Sequence, residues 1–367
     1  MTKLGFDFSK LPLKDKKIEH SIDYAVLNFL VDCFIEKGGR YFDTAYTYLG
    51  GVSEEAVKFS LSDRYPRDSF VLADKLPNWI VHSKEDCRKI FESQLSRCGV
   101  DFFDVYLLQW LNETNYITAE TCGEFEFLKE LKSEGKALKI GFAFYDSPEL
   151  LEKIFSAHPE IDCVQLQINY QDWESPVFRA KECYKVAEKF GKEIIAADPL
   201  KDGALSYLPE EAKALLSEQN PKISGALWAM RFVKDLPSVK TVLVKMSCAE
   251  QLEEYFSEFS PLSEKEIFVL FKVAEIIRSV KAVPCSGCSL CAEICPVKIP
   301  IPRYFEVYNE YCLNPNEAWK IEHAYSSLTR NFSRPSDCLR CRICESACPQ
   351  KIGISQNLQK VSRTFGY

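Results

Sequence analysis

Eight of the sixteen cysteines fall into two matching runs: Cys285-x₂-Cys288-x₂-Cys291-x₃-Cys295-Pro296 and Cys338-x₂-Cys341-x₂-Cys344-x₃-Cys348-Pro349. This is the bacterial cysteine spacing for iron–sulfur clusters. Three closely spaced thiolates let one loop wrap one face of a cubane. The fourth cysteine, followed by a proline that turns the chain away, reaches the other cluster. The spacing therefore predicts two 4Fe-4S clusters, one held by Cys285, Cys288, Cys291 and Cys348, the other by Cys338, Cys341, Cys344 and Cys295. Zinc is the competing use of paired CxxC, but it calls for two cysteines per knuckle rather than four in this order, twice. The remaining cysteines, at 33, 87, 98, 122, 163, 183, 248 and 312, are scattered and are expected to be small buried hydrophobes.

The elements that must hold these loops differ from those upstream. Residues 1–260 alternate short apolar runs with amphipathic stretches. The strand candidates are Arg40–Ala45, Ser69–Lys75, Phe102–Gln109, Leu138–Phe144, Cys163–Asn169, Glu193–Pro199 and Thr241–Lys245, with a weaker eighth near Glu258–Leu262. Helices are expected at Ser83–Cys98, Glu124–Glu134, Pro176–Phe190 and Ser224–Phe232. Strands separated by helices pair in parallel, because a parallel crossover needs a dozen or more residues. The number of repeats favours a closed (β/α)8 TIM barrel over a doubly wound sheet, and no G-x-G-x-x-G follows the first strand. Near Pro261–Pro284 the rhythm stops and Cys and Pro become dense. The chain is thus expected to divide into a barrel at 1–262, a linking helix at 263–282 and a two-cluster, mostly α-helical domain at 283–367. The 42 residues between Cys295 and Cys338, helical in period, are too many for a compact bacterial ferredoxin.

Composition narrows the function classes. A net charge of −7 with no basic stretch makes nucleic acid an unexpected partner. The N-terminal residues lack a signal-peptide pattern, and no window approaches 18 continuous apolar residues, so no membrane span is expected. Sixteen cysteines without an export signal point to a reducing, cytoplasmic compartment.

Several motifs before residue 262 resemble the aldo-keto reductase superfamily: Lys3-Leu-Gly at an N-terminal hairpin, Phe42-Asp43-Thr44-Ala45-x-x-Tyr48, Ser53-Glu54, Ala73-Asp74-Lys75, Asp104-x-Tyr106-Leu107-Leu108, Ile140-Gly141 and Val164-Gln165. The tail resembles the α-helical ferredoxin module of multi-subunit redox enzymes. Together the two parts are similar to a bacterial reductase subgroup with a C-terminal dicluster module. The resemblance implies Tyr48 as proton donor to a carbonyl, Lys75 as the cation that tunes it, Asp43 as the lysine's partner, and NAD(P)H as hydride source. A tyrosine titrating near ~10 is a weak acid without a neighbouring cation. All three residues fall at strand ends, where barrel active sites sit. The plainer role for Asp43 and Lys75 is a salt bridge at the barrel's end, and Tyr46 competes with Tyr48 for the inward position.

The chain departs from the family pattern. The position after the third expected strand, normally His, is Gln109, which hydrogen-bonds but does not shuttle protons near neutrality. His20, His82 and His158 are expected to be solvated. Of the nicotinamide contacts only Gln165 remains. The Ser-Asn pair reads Ala143-Phe144, and the stacking aromatic is Ala197. Lys245, Ser247 and Gln251 keep part of a phosphate-binding segment, whereas Cys248 and Tyr255 depart from it. Trp110, Trp173, Phe144 and Tyr145 are expected near the barrel mouth, either as packing or as a platform for a flat substrate or flavin. Arg303, Arg340 and Arg342 lie near or within the cysteine runs and are expected to be solvated, with setting the cluster potential or docking a redox partner as the other roles.

Two functions follow. One is an oxidoreductase whose barrel takes a carbonyl or related substrate while electrons pass through the clusters to or from a partner protein. The other is a non-catalytic electron-transfer or docking protein built on a degenerate barrel. Hydride carries two electrons and each cluster accepts one, so direct handover calls for a splitting centre such as a flavin, for which no motif is present.

Overall fold

The computed structural model describes every residue except 1, 16, 17, 19, 176, 177, 258, 259, 281, 314–317 and 367. Eight parallel strands close into a barrel in sequence order. They are β1 (Leu4–Asp7), β2 (Tyr41–Asp43), β3 (Val71–Leu76), β4 (Phe103–Leu111), β5 (Ala137–Phe144), β6 (Cys163–Gln167), β7 (Glu193–Ala197) and β8 (Val239–Val244).

The eighth strand is not where the sequence reading placed it. It is β1, which pairs with both β2 and β8 and closes the barrel. Lys3-Leu4-Gly5 therefore enters a barrel strand rather than a hairpin. Of the alternative stretch at 258–262, two positions lie outside the described residues and the other three form no strand. Gly5 shows why β1 is tight: a Cβ there would meet Leu243, Thr241 and Tyr41 at 2.8, 2.9 and 2.9 Å.

Side chains alternate across each strand. Inside the barrel, Ala73, Val105, Leu107, Cys163, Ile195 and Leu243 form one apolar plug. The same parity carries Asp7, Asp43, Lys75 and Lys245 inward at the C-terminal ends of their strands, where the apolar filling stops. Helices cover the outside. Lys84–Cys98 is representative: the Ser83 side chain accepts from the Asp86 amide, and Gly99 ends the helix in the left-handed region. The helix expected from Pro176 begins at Ala180, and its first two expected positions lie outside the described residues.

Contacts divide the chain into two compact units. One contains Met1–Glu174, Arg179–Pro199 and Ala229–Leu262; the other contains Ser175–Phe178, Leu200–Trp228 and Ser263–Tyr367. In the second unit, helix Glu264–Val280 packs on helix Glu210–Gln219, and helix Ile301–Leu313 packs on helices Ala318–Asn331 and Ile354–Phe365. Its core joins Ile299, Ile301, Tyr304, Phe305, Leu358 and Val361 to Cys291, Cys295 and Cys344. Among the described residues, no helix is long and apolar enough to cross a membrane.

Not all scattered cysteines are buried as expected. Cys87, Cys98, Cys163 and Cys183 are, whereas Cys33, Cys122 and Cys248 are partly covered and Cys312 is exposed. His158 is not solvated either. Its ring stacks on Phe125 at 3.6 Å and its Nε2 meets Glu120 Oε1 at 2.6 Å, because it closes helix Pro148–Ala157 against a neighbour. Phe144 and Trp173 serve as packing: Phe144 lies 6.0 Å from Phe142, and Trp173 sits between Tyr184 and Phe232.

Candidate functional site

The end of β3 supplies Lys75, and the end of β2 supplies Asp43. Lys75 is 1% exposed and Asp43 0%, so this is a buried charge pair. The Lys75 ammonium donates to Asp43 Oδ1 and to the Thr44 carbonyl, the latter at 2.8 Å. Thr44 is fixed in turn. Its hydroxyl lies 2.8 Å from Ser53 Oγ, which donates to the Phe8 carbonyl at 3.0 Å. From outside the barrel, Gln94 Nε2 donates to the Lys75 carbonyl at 3.0 Å, and the Lys75 amide donates to Asp74 Oδ1 at 2.7 Å. The Ser53 and Asp74 of the sequence motifs thus hold the backbone that carries the site.

After β2 a turn at Tyr48–Gly51 passes through left-handed Leu49 (φ 52°). It brings the Tyr48 ring over Lys75, with Nζ 4.9 Å from the ring centroid. Tyr46 goes elsewhere: its ring lies under Arg97 at 4.3 Å, and Arg97 pairs with Glu54. The competition between the two tyrosines is thus decided by the turn, with Tyr48 on the lysine side.

Electrostatics at this end of the barrel are dominated by burial. Asp43 is pushed up to about 7 by desolvation, with Lys75 pulling it down and Asp7 pushing it up. The Tyr48 phenol, half-buried by area, is held well above its ordinary value by desolvation and then by the Asp7 and Asp43 carboxylates; Lys245 pulls the other way. Tyr145, just beyond β5, is pushed up to about 12 by burial, while Lys75 is the strongest opposing charge and Lys245 a weaker one. The resemblance implied a lowered tyrosine. Here burial and the Asp7 and Asp43 carboxylates outweigh the Lys245 cation, so the phenol is raised instead.

Asp7 and Tyr145 thus join the site; Tyr145 was expected near the barrel mouth, whereas sequence reading gave Asp7 no role. Asp7 was hidden because β1 has only four residues; its register partner is Asp43.

The remaining candidates separate. Gln109 lies in β4 just before Trp110, whose φ is 62°, where the pairing with β5 shifts register. Gln109 Oε1 and Gln165 Oε1 are both buried without a hydrogen-bond partner. Ser247 and Gln251 bind each other, the Ser247 amide donating to Gln251 Oε1 at 2.8 Å with the hydroxyl at 3.3 Å. Lys245 bears instead on Tyr48 and Tyr145. Trp110 packs edge-on against Trp79 at 5.6 Å.

These features give a divided answer on a nicotinamide cofactor. The unpartnered Gln165 carbonyl oxygen fits a carboxamide N–H. The donors of the Ser247 segment are already engaged by Gln251, and Ala143 and Ala197 offer neither a hydrogen bond nor a ring.

In the second unit, Cys285, Cys288, Cys291 and Cys348 line one cavity together with Phe305 and Gln350. The thiols influence one another mostly within two sets, with Cys344 bearing on Cys291 across them. Cys288 is pushed up to about 12 by burial and then by Cys285 and Cys348. Cys344 is pushed up to about 11 by burial and then chiefly by Cys338, with Glu345, Cys295 and Cys341 following. Among the described residues, no three His, Cys, Asp or Glu side chains converge tightly enough for a single ion. Four thiols around one cavity in mostly apolar surroundings are the donor set of a cubane, so the residues fit a cluster. Arg303 lies over Phe332 at 5.2 Å, and Arg340 and Arg342 sit at left-handed positions in the second cysteine loop.

Residues 13–274 match the aldo/keto reductase family, and residues 284–352 match the 4Fe-4S dicluster domain. Among curated relatives, the NADH-specific methylglyoxal reductase of Escherichia coli is 29% identical over 140 residues, covering 36% of this chain and 40% of that protein. The uncharacterized oxidoreductase YqkF of Bacillus subtilis is 27% identical over 269 residues, covering 66% and 85%. Among solved structures, an aldo-keto reductase from Bacillus halodurans in its holo form matches with a TM-score of 0.61 at 22% identity, covering 74% of this chain and 91% of that one. One from Klebsiella pneumoniae in complex with NADPH matches with a TM-score of 0.59 at 19% identity, covering 75% and 91%. At such identities these structures speak for the fold. The chain belongs to the aldo/keto reductase family and carries a 4Fe-4S dicluster domain after its barrel.

Proposed function

We propose that this chain is an iron–sulfur oxidoreductase that reduces a carbonyl or related substrate at the barrel mouth and exchanges electrons through two 4Fe-4S clusters with a partner protein. The observation that carries the barrel half is the stack of Tyr48 over a buried Lys75 paired to Asp43. A carbonyl becomes an alcohol on gaining two electrons and two protons. Tyr48 gives the proton that reaches oxygen. Lys245 favours the phenolate left behind, and burial, Asp7 and Asp43 oppose it. Gln109 orients the substrate by hydrogen bonding, since its amide cannot transfer a proton at neutral pH.

NAD(P)H, when bound, would supply hydride, the two electrons with one of the two protons. Gln165 would accept from its carboxamide, and Lys245, Ser247 and Gln251 are the residues left for a phosphate. Cys285, Cys288, Cys291 and Cys348 would hold one cluster, and Cys338, Cys341, Cys344 and Cys295 the other. The one cavity lined by Cys285, Cys288, Cys291 and Cys348 supports this crossed set. The chemistry then divides linearly at 1–262, 263–282 and 283–367.

The mutual capping of Ser247 and Gln251 favours a second reading, an electron carrier that has lost its nucleotide site. Anaerobic titration with NADPH tests the pair. Tight binding with NADPH-dependent turnover of a carbonyl is expected of the enzyme. No binding, together with no turnover on any carbonyl using a chemical electron donor, would leave only the carrier.

A further inference from the structure

Gln350 lines the cavity formed by Cys285, Cys288, Cys291 and Cys348. It is 4% exposed, and both its Nε2 and its Oε1 lack any hydrogen-bond partner. A buried amide left unsatisfied keeps the full penalty of its desolvation, so its place at the cavity calls for a partner that the cavity itself receives. Sulfides and thiolates only accept hydrogen bonds, so the amide nitrogen is the end that suits them.

The two cysteine runs make the comparison internal. After the last cysteine one reads Cys295-Pro296-Val297-Lys298-Ile299 and the other Cys348-Pro349-Gln350-Lys351-Ile352. Four of these five positions are identical, and the difference is Gln350 against Val297. Val297 packs on the apolar core of this unit and has nothing to donate.

We infer that Gln350 donates a side-chain hydrogen bond to a sulfur of the cluster held by Cys285, Cys288, Cys291 and Cys348, and that this bond makes that cluster easier to reduce. The physical reason is charge: reduction adds an electron, and an N–H donor stabilises the more negative state. The inference rests on the cluster assignment proposed above. One carboxylate acts in the opposite sense on the same cluster. Asp202 Oδ2 lies 3.9 Å from where a Cβ on Gly287 would stand and bears on Cys288. Because Asp202 is unchanged when Gln350 is replaced, its effect cancels in the comparison.

The test uses the full chain with its clusters loaded. Gln350→Met keeps the side-chain length and removes the donor. In a redox titration followed by electron paramagnetic resonance, the cluster whose signal disappears in Cys288→Ala should become about tenfold harder to reduce in Gln350→Met, ~59 mV for one electron. The other cluster should not move. Unchanged potentials at full iron content, or equal shifts of both clusters, would overturn the inference. Should Gln350→Met fail to load iron, the wild-type chain labelled with ¹⁵N in glutamine side chains supplies the second measurement. A ¹⁵N hyperfine coupling at the reduced cluster is expected, and its absence overturns the proposal. Wild-type protein lacking iron and labile sulfide would sink the cluster assignment itself and take this inference with it.

Discussion

The barrel mouth and the cysteine-lined cavity are built on opposite plans. The barrel site takes single residues from separate strand ends: Asp7 from β1, Asp43 from β2 and Lys75 from β3. Each is aimed inward by strand alternation, and the buried lysine is compensated at once by a carboxylate and a carbonyl. The cysteine cavity takes three residues from one short loop and one from another, in mostly apolar surroundings with no charged side chain among the described residues that line it. A site assembled from distant strands is set by the whole fold, and its charges must balance within the protein. A site assembled from two loops is set by local spacing, and its charges are balanced by what it binds.

The two plans should fail differently. The largest effect is expected at the loops. Cys288→Ala should lose one cluster outright, removing about half of the iron measured after anaerobic preparation. Iron at the wild-type level would break the contrast, because the spacing would then not define the ligands. Next comes Lys75→Met, expected to lower carbonyl turnover by ~10²–10⁴, in the range that a positioned acid–base group contributes. The fold should survive, because Asp43 at about 7 accepts a proton readily and leaves no buried charge unpaired. Steady-state rates on a panel of aldehydes check this, with cluster content as the control.

Acidity distinguishes the two regions further. Asp43 has a raised value, so it is protonated below about 7 and charged above it. Its charge makes Tyr48 a poorer donor. Turnover should therefore fall as pH rises through about 7, by up to ~10-fold per unit where protonation limits the rate. In Asp43→Asn the fall should vanish from that window. A flat profile in the wild-type chain would remove Asp43 from the proton chemistry. The smallest effect is expected at Gln165. If its orphaned oxygen accepts from a nicotinamide, Gln165→Leu should weaken NADPH binding about fivefold to tenfold, equal to one hydrogen bond of ~1–1.5 kcal/mol. Fluorescence titration measures it, and unchanged affinity would separate Gln165 from the nucleotide.

What the sequence made legible follows the same division. The eight cysteines were readable because spacing along the chain is the signal. The barrel was readable from seven apolar runs, yet the strand that closes it, Leu4–Asp7, was too short to declare itself, and Asp7 went with it. Tyr48 and Lys75 came from a resemblance. Their electrostatic setting did not, because the upward push on Tyr48 comes first from burial and then from carboxylates that only folding gathers. Gln94 and Gln350 are ordinary amides until their surroundings are seen: one props the Lys75 carbonyl, and the other is stranded in a pocket of thiols.

The interleaving of the two compact units has a consequence for how the chain is made and cut. Helix Glu210–Gln219 leaves the ribosome well before Glu264–Val280, the helix it packs against. It must wait with an apolar face uncovered until the later segment arrives. A fragment ending at residue 262 would keep it waiting permanently, so expressing the barrel alone by simple truncation should yield aggregation-prone protein. An excision that also replaces 200–228 with a short loop is the cleaner dissection.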